Sequence, residues 1–252
     1  MIEREDSDDV VVVRMAHGKA NALDYELCKA LVETIDRLEA HDDRPVIITG
    51  SGRMFSAGVD LFRVVNEGEA YLNAFLPVLL ENFARLFDFP RPLTAAINGH
   101  AIAGGCVIAC ACDHRVAAAE AGRIGVPELL VGVPFPTIAL EIIRFAIGGG
   151  HLQQVILTGE TSNTGEAMRL GLIDEIADRE RLLERALTRA RHFASIPERS
   201  YALTKRQLHE PVNSRVAALA SENDEAVRAA WMDPKTLDNM RDYLQRTLGR
   251  KD

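Results

Sequence analysis

The clearest pattern near the start of the chain is two short β-branched runs separated by a segment with a helical period. The runs are residues 11–16 (VVVRMA) and residues 44–50 (RPVIITG), and both are predicted to be strands. Between them, apolar residues recur every three or four positions, at Leu27, Leu31, Ile35 and Leu38. That spacing predicts an amphipathic helix.

The same alternation continues through the middle of the chain. Residues 93–97 (LTAAI) predict a strand closed by Asn98-Gly99, a helix is expected from about Gly105, and HRVAAA predicts another strand. Strands that alternate with helices predict an α/β architecture with buried, mostly parallel strands.

The last quarter of the sequence has a different character. From about Asp178 it is rich in Ala, Leu, Arg and Glu at helical spacing and carries no strand signal. We therefore expect a C-terminal helical appendage, joined to the rest without a long linker.

Composition and charge exclude several classes of protein. The 252 residues are 47% hydrophobic and 26% charged, as in ordinary globular proteins. A net charge of −8 argues against nucleic acid as a partner, because such binding depends on Lys and Arg. No apolar run is long enough to suggest a membrane span, and the acidic residues 1–9 resemble neither a signal nor a transit peptide. A cytoplasmic protein is expected.

The cysteines do not predict a metal site. Cys106, Cys110 and Cys112 fall close together, but in a run of Ala, Ile and Val where cysteine behaves as a small hydrophobic residue. Their spacing matches structural zinc sites poorly, so no metal is expected, and with Cys28 they do not suggest a disulfide framework either.

Three segments carry the candidate chemistry: residues 52–62 (GRMFSAGVDLF), residues 98–118 (NGHAIAGGCVIACACDHRVAA) and residues 123–136 (RIGVPELLVGVPFP). Taken singly, each has an ordinary explanation as a turn, a close packing contact or a helix start. Together and in this order, with GKANAL before them and LTGETSNTGEAMRLGLIDEIAD after them, they resemble the crotonase superfamily of enoyl-CoA hydratases and isomerases.

That resemblance implies an architecture and an assembly. The fold expected is a spiral of repeated ββα units over residues 1–196, followed by a C-terminal helical region over residues 197–252. The C-terminal helices would pack over the active-site region or over a neighbour. The assembly expected is a homotrimer or a dimer of trimers.

The resemblance also implies how an acyl-CoA thioester would be activated. Two backbone N–H groups, those of Val59 and Gly104, would bind the thioester oxygen while charge develops on it. Gly104 would let the carbonyl approach the main chain, because it has no Cβ. The helix that follows would direct its positive N-terminal end at the oxyanion.

Further substrate contacts follow from the same resemblance. Coenzyme A enters as part of the substrate, and no separate cofactor is expected. The residues expected to contact the substrate are Lys19, Ala20, Ala57, Val59, Asp60, Leu61, Phe62, Gly104, Val107 and Phe135.

The sequence departs from the hydratases of the superfamily at one position. Those enzymes hold water between two glutamates, whereas this chain has Glu128 at one position and Val107 at the other. A single carboxylate can move a proton from C2 to C4, so Δ3–Δ2 enoyl-CoA isomerisation is the reaction expected. Apolar neighbours, including Phe135 and Ile138, would raise the pKa of Glu128 by desolvation.

Other readings stay open at this point. They are enoyl-CoA hydration, hydrolysis of an acyl-CoA thioester, and acyl-CoA binding without catalysis. Burial of an idle carboxylate is costly, which argues against the last. His100 is expected to close a strand, and His114 to join a structural polar cluster with Asp113 and Arg115; neither is expected to be catalytic.

Overall fold

Mostly parallel strands form the centre of the protein. The computed structural model describes residues 1–248. Within these residues the strands are, in chain order, β1 (Ile2–Ser7), β2 (Val10–Met15), β3 (Ala22–Leu23), β4 (Val46–Thr49), β5 (Met54–Ser56), β6 (Gly58–Val59), β7 (Leu93–Ile97), β8 (His100–Ile102), β9 (His114–Ala118), β10 (Ile124–Gly125) and β11 (Glu175–Ala177). Six of them form one sheet in the order β1-β2-β4-β7-β9-β11, in which only the β1–β2 pair is antiparallel.

Helices cover this sheet and form the C-terminal part of the chain. Within the described residues they are α1 (Tyr25–His41), α2 (Leu61–Phe87), α3 (Gly104–Cys110), α4 (Glu128–Val131), α5 (Thr137–Ile147), α6 (Leu152–Thr158), α7 (Thr164–Arg169), a 3-10 turn (Arg179–Arg181), α8 (Leu182–Ala194), α9 (Glu198–Met232) and α10 (Pro234–Leu248). The helical region expected over residues 197–252 begins with α9, and residues 249–252 lie outside the described part. No helix described here is long and apolar enough to cross a bilayer.

Burial explains why the central strands could be predicted. β4 and β7 are buried at every position, so each is a continuous apolar run rather than an alternating one. The predicted strands at residues 11–16 and 44–50 form as β2 and β4, and the strand at residues 93–97 forms with the predicted bounds. The predicted α/β class is confirmed.

Several elements were not predicted, β1 and α2 among them. β1 is acidic and mostly exposed, and it pairs with β2 through its main chain from Ile2↔Met15 to Ser7↔Val10. A hydrophobic pattern does not reveal such an edge strand, because backbone groups provide its pairing. α2 is a long helix interrupted at Gly68, where φ is 68°.

Two small parallel sheets lie next to the beginning of α3 and fix its position. β8 lies between β10 and β5, and β3 pairs with β6. α3 is buried at every residue and packs so closely that a Cβ on Gly105 would lie 2.5 Å from the Ser56 carbonyl oxygen. Gly105 is therefore required by close packing of the helix against the backbone beside β5.

An ion pair formed by a buried lysine joins the C-terminal helix α9 to the sheet. Lys205 of α9 is buried, and its Nζ lies 2.8 Å from Asp113 Oδ1. The Leu93 N–H donates to the other oxygen of Asp113 at 2.8 Å. This carboxylate therefore joins α9 to the beginning of β7. α9 and α10 also contact α2, α4 and α5 of the same chain.

The packing at Gly105 leads to a stability prediction. Gly105→Ala should destabilise the protein by about 1–3 kcal/mol, because the added methyl would overlap backbone that must move. Gly149→Ala is the matched control, since a Cβ there would meet nothing within 4 Å. Urea unfolding of both variants measures the effect, and equal midpoints would contradict the packing explanation.

Candidate active site

Glu128 is a buried carboxyl group without a hydrogen-bonding partner on one oxygen. It is the first residue of α4, directly after Pro127, and its residue is 8% exposed. Its Oε2 is buried and finds no hydrogen-bond partner among the described residues. Desolvation by burial raises the pKa of Glu128 to about 8, although a hydrogen bond from its own backbone N–H opposes this rise. A carboxyl with such a pKa can both accept and release a proton near neutral pH.

Glu128 lines a small apolar cavity of about 70 Å³. The other lining residues come from six segments of the chain: Ala57, Val59, Leu61, Leu79, Phe83, Ile102, Ala103, Gly104, Val107, Pro127, Val131, Val133, Pro136, Ala139, Trp231 and Tyr243. Among these described residues, Glu128 is the one carboxyl and Tyr243 the one with a hydroxyl. The cavity therefore suits a hydrocarbon group placed against a single acid–base residue.

Val107 lies where the sequence pattern placed it. It occupies the first turn of α3, is 1% exposed and lines the same cavity as Glu128. Because its side chain is a hydrocarbon, it supplies neither a proton nor a hydrogen bond. The cavity therefore lacks a second carboxyl at this position.

The backbone around Gly104 is held in an unusual conformation. Ala103, which precedes α3, has φ 52° and ψ −127°, a conformation that costs of the order of 1–3 kcal/mol for a residue with a Cβ. Its N–H donates to Gly125 O at 2.8 Å, and its carbonyl accepts from the N–H of Cys106 at 2.8 Å. These bonds hold Gly104 at the beginning of α3, where its own N–H has no acceptor among residues 1–248.

Val59 and Gly104 are brought together by a second glycine. Gly58 has φ +80°, and a Cβ there would lie 2.6 Å from Ala103 Cβ and 3.0 Å from the Gly104 nitrogen. Val59 follows it in β6, which pairs with β3 in the register Leu23↔Val59. The two backbone positions expected to bind the thioester oxygen are therefore neighbours beside the cavity.

The absence of a side chain at position 104 also permits close packing inside the protein. A Cβ on Gly104 would lie 2.8 Å from Leu23 Cδ1 and 3.4 Å from Phe83 Cζ. The missing side chain thus leaves room for Leu23 beside Phe83, which lines the cavity. That Gly104 also lets the thioester carbonyl approach the main chain stays a prediction.

Several residues expected to contact substrate lie outside the cavity. Lys19 is exposed, and Phe62 is 51% exposed. Asp60 caps α2, accepting a hydrogen bond from the Arg63 N–H at 3.2 Å. Ala20 accepts a hydrogen bond from the Ala57 N–H at 3.0 Å and is thereby joined to the cavity wall.

The apolar lining also differs in detail from the one expected. Phe135 and Ile138 are not among the cavity-lining residues, and Val133, Pro136 and Ala139 of the same segment take their place. Phe135 instead packs, half-buried, against the hydrophobic core. Glu128 is desolvated, as expected. The side chains of residues 133–139 that line its cavity, however, are Val133, Pro136 and Ala139.

Neither of the two histidines considered lies in the cavity. His100 begins β8, and its Nδ1 accepts a hydrogen bond from the Arg123 N–H at 3.1 Å. His114 lies 3.8 Å from carboxylate oxygens of both Asp174 and Glu175. Its polar neighbours therefore include two acidic residues beyond the Asp113 and Arg115 expected from the sequence.

Several lining residues were missed by the sequence reasoning, and four of them lie on helices outside the three motif segments. Leu79 and Phe83 lie one turn apart on α2, and Trp231 and Tyr243 come from α9 and α10. The apolar spacing of Leu79 and Phe83 was available as a signal. Nothing in the helical tail distinguished Trp231 or Tyr243 from ordinary core residues.

Other cavities and side-chain clusters do not compete with this site. Four larger cavities among the described residues, of about 570, 480, 310 and 200 Å³, include none of the residues predicted to be functional. The two largest of them lie along α9. In the described part of the chain no three His, Cys, Asp or Glu side chains are grouped so that they could hold a metal ion. Glu128 is better evidence for the position of the active site than cavity volume is, because burial of an unpaired carboxyl group costs free energy.

Comparison with known proteins agrees with this fold and these motifs. A family model described as enoyl-CoA hydratase/isomerase matches residues 5–244. A Thermus thermophilus protein provisionally named an enoyl-CoA hydratase is 35% identical over 214 residues, which are 82% of this chain and 83% of that protein.

Similar solved structures include proteins named enoyl-CoA isomerase and proteins named enoyl-CoA hydratase. Human mitochondrial Δ3–Δ2 enoyl-CoA isomerase superposes with a TM-score of 0.94 at 25% identity, covering 100% of this chain and 99% of the other. A Mycobacterium tuberculosis enoyl-CoA isomerase is 33% identical with a TM-score of 0.79, covering 86% and 94%, and another structure of it carries the hydratase name. The chain therefore belongs to the enoyl-CoA hydratase/isomerase family of the crotonase superfamily.

Proposed function

We propose that this protein is a Δ3–Δ2 enoyl-CoA isomerase that uses Glu128 as its sole acid–base residue. The observation that carries the proposal is the pairing in one cavity of Glu128, whose Oε2 has no partner among the described residues, with the hydrocarbon Val107. The superposition on the human isomerase supports it. The Thermus thermophilus relative, with its hydratase name, is the reason hydration stays the second candidate.

In the proposed reaction, the Glu128 carboxylate removes a proton from C2 of a 3-enoyl-CoA. The electron pair moves into the thioester and the neighbouring double bond, giving a dienolate. Protonated Glu128 then returns the proton at C4, which leaves the double bond between C2 and C3. One group therefore serves as base and as acid, and the apolar cavity excludes water between the two steps.

Backbone donors would stabilise the charge that forms on the thioester oxygen. The N–H groups of Val59 and Gly104 are proposed for this role. Gly58 brings the two positions together, and Gly104 is the first residue of α3. Removal of one such donor in comparable sites costs about 3 kcal/mol of transition-state stabilisation.

The coenzyme A part would lie outside the cavity. Lys19, Ala20 and the residues after Val59, namely Asp60, Leu61 and Phe62, are proposed to contact it. The hydrogen bond between Ala57 and Ala20 connects that surface loop with the cavity wall. Assembly as a homotrimer or dimer of trimers stays a prediction, which light scattering would check.

One assay separates the candidate activities. The protein is incubated with 3-enoyl-CoA, 2-enoyl-CoA and saturated acyl-CoA, while conjugation, hydration and free thiol are followed separately. Conjugation alone is expected. Dominant hydration or thiol release would replace the proposal with the hydratase or the hydrolase, and no product at all would favour a binding protein.

Replacement of Glu128 tests the acid–base role. Glu128→Gln should lower kcat for 3-enoyl-CoA at least about a hundredfold, because the amide neither accepts nor returns the proton. Binding of saturated acyl-CoA, measured by calorimetry, should be retained. Near-normal turnover by the variant would exclude Glu128 as the proton carrier.

Unfolding of the same variant provides a control with a defined sign. The pKa of Glu128 is 4.5 in an unfolded chain and about 8 in the folded one, so the protonated group favours folding below pH 4.5 and this advantage is lost as pH rises through 8. Ionisation of Glu128 in the folded protein lowers the free energy of unfolding by up to roughly 5 kcal/mol. Glu128→Gln should therefore melt higher than wild type at pH 9 and similarly at pH 4.5.

The rate should also depend on pH in one direction. Only ionised Glu128 can remove the C2 proton. The value of kcat/KM for 3-enoyl-CoA should therefore rise with pH and level off, with the midpoint of the rise near pH 8. Stopped assays between pH 5.5 and 10 measure the profile. A midpoint near 4.5, the ordinary value for a glutamate, would contradict an apolar environment for the reacting carboxyl.

The hydrocarbon at position 107 gives the most direct test of reaction choice. Val107→Glu would place a second carboxyl in the cavity, and repulsion between the two would leave one protonated and one ionised. The variant should therefore hydrate 2-enoyl-CoA measurably, whereas wild type should do so little. Val107→Gln is the matched control, being of equal size without a carboxyl.

Folding of Val107→Glu is checked first, because a buried polar group can cost about 1–3 kcal/mol. Fast hydration by the unmodified protein would show that Glu128, alone or with another group, already handles water.

A further inference from the structure

The C-terminal helices form a wall of the Glu128 cavity in their own chain. Trp231, near the end of α9, and Tyr243, in α10, both line it. Trp231 is 3% exposed, and its indole N–H donates to the Pro134 carbonyl at 3.1 Å. Tyr243 is half-buried and packs against the core. These two large side chains therefore bound the apolar space beside Glu128.

Polar contacts hold this wall in place. The Thr137 N–H donates to Asp224 of α9 at 2.8 Å. Arg215 of α9 pairs at 2.9 Å with Glu141, whose side chain is 3% exposed. Together with the bond from Trp231, these contacts fasten α9 to residues 134–141, the segment that also supplies Pro136 and Ala139 to the cavity.

The wall leaves little space. An apolar cavity of about 150 Å³ takes up benzene, with its six carbons. The cavity here, at about 70 Å³, is half that size and so suits about three or four carbons. Carbons C2 to C4, between which the proton and the double bond move in the proposed reaction, would fill it. One or two further carbons would require small movements of Trp231 and Tyr243.

The lining also restricts the polarity of the acyl group. The indole N–H of Trp231 is already used by Pro134, and Tyr243 is the one hydroxyl among the described lining residues. A hydroxyl, carboxyl or amino substituent on the acyl chain would lose its water here and gain few partners, which is unfavourable.

We propose that the substrates of this protein are short acyl-CoA thioesters, of about four to six carbons, with an unsubstituted hydrocarbon chain. Trp231 and Tyr243 set the upper limit of chain length. For the reaction this inference rests on the proposed function, whereas for binding it stands independently.

Chain-length series test the inference in two ways. Calorimetry compares the binding of hexanoyl-CoA and dodecanoyl-CoA, which requires no reaction. Steady-state assays compare kcat/KM for 3-hexenoyl-CoA and 3-dodecenoyl-CoA. Wild type should favour the six-carbon chain at least about tenfold in both. Equal or better use of the twelve-carbon chain would overturn the inference.

Substitutions of Tyr243 and Trp231 test whether these residues set the limit on acyl-chain length. Tyr243→Ala should raise binding and kcat/KM for the twelve-carbon chain about tenfold, and Trp231→Phe should shift the preference in the same direction while preserving an aromatic core residue. Tyr201→Ala is the matched control, because Tyr201 lines the cavity of about 480 Å³ instead. An unchanged preference in both wall variants would show that neither residue sets the limit.

Failure of the inference and failure of the proposed reaction give different results. If hexanoyl-CoA binds selectively but 3-hexenoyl-CoA is not converted, the reaction is wrong and the chain-length limit stands. If 3-enoyl-CoA of every length is isomerised equally well, the reaction stands and the limit is wrong.

Discussion

The unpaired burial of one carboxyl group is the constraint on which the rest of the site depends. Glu128 Oε2 is buried without a partner among the described residues, and the same desolvation raises the pKa of Glu128 to about 8. The cost arises because apolar side chains from several elements surround the group. Those side chains also leave room for a hydrocarbon substrate, so the stability penalty and the proposed chemistry have one physical origin.

Close approach of backbone segments is the second requirement. α3 lies against Ser56 through Gly105, and Gly58 lies against Ala103 and Gly104. Side chains at these glycines would separate the segments and move the first N–H of α3 away from Val59. The strained conformation of Ala103 is kept by its two hydrogen bonds, so the orientation of this N–H is set before any substrate arrives.

The C-terminal helices connect the cavity with the stability of the whole fold. α9 is joined to the sheet by Lys205 and Asp113, and its far end places Trp231 beside the cavity. A change in how α9 packs would therefore alter the cavity wall as well as the core.

Local patterns in the sequence determined the central strands, the family, and the contrast between Glu128 and Val107, because burial on both faces and close backbone packing leave short, readable motifs. Tertiary structure alone decided that Trp231 and Tyr243 reach the cavity, that Phe135 does not line it, and that Leu23 packs beside Gly104. These facts depend on contacts between residues distant in the chain. A helical period shows that a face is buried, but it does not show which surface covers that face.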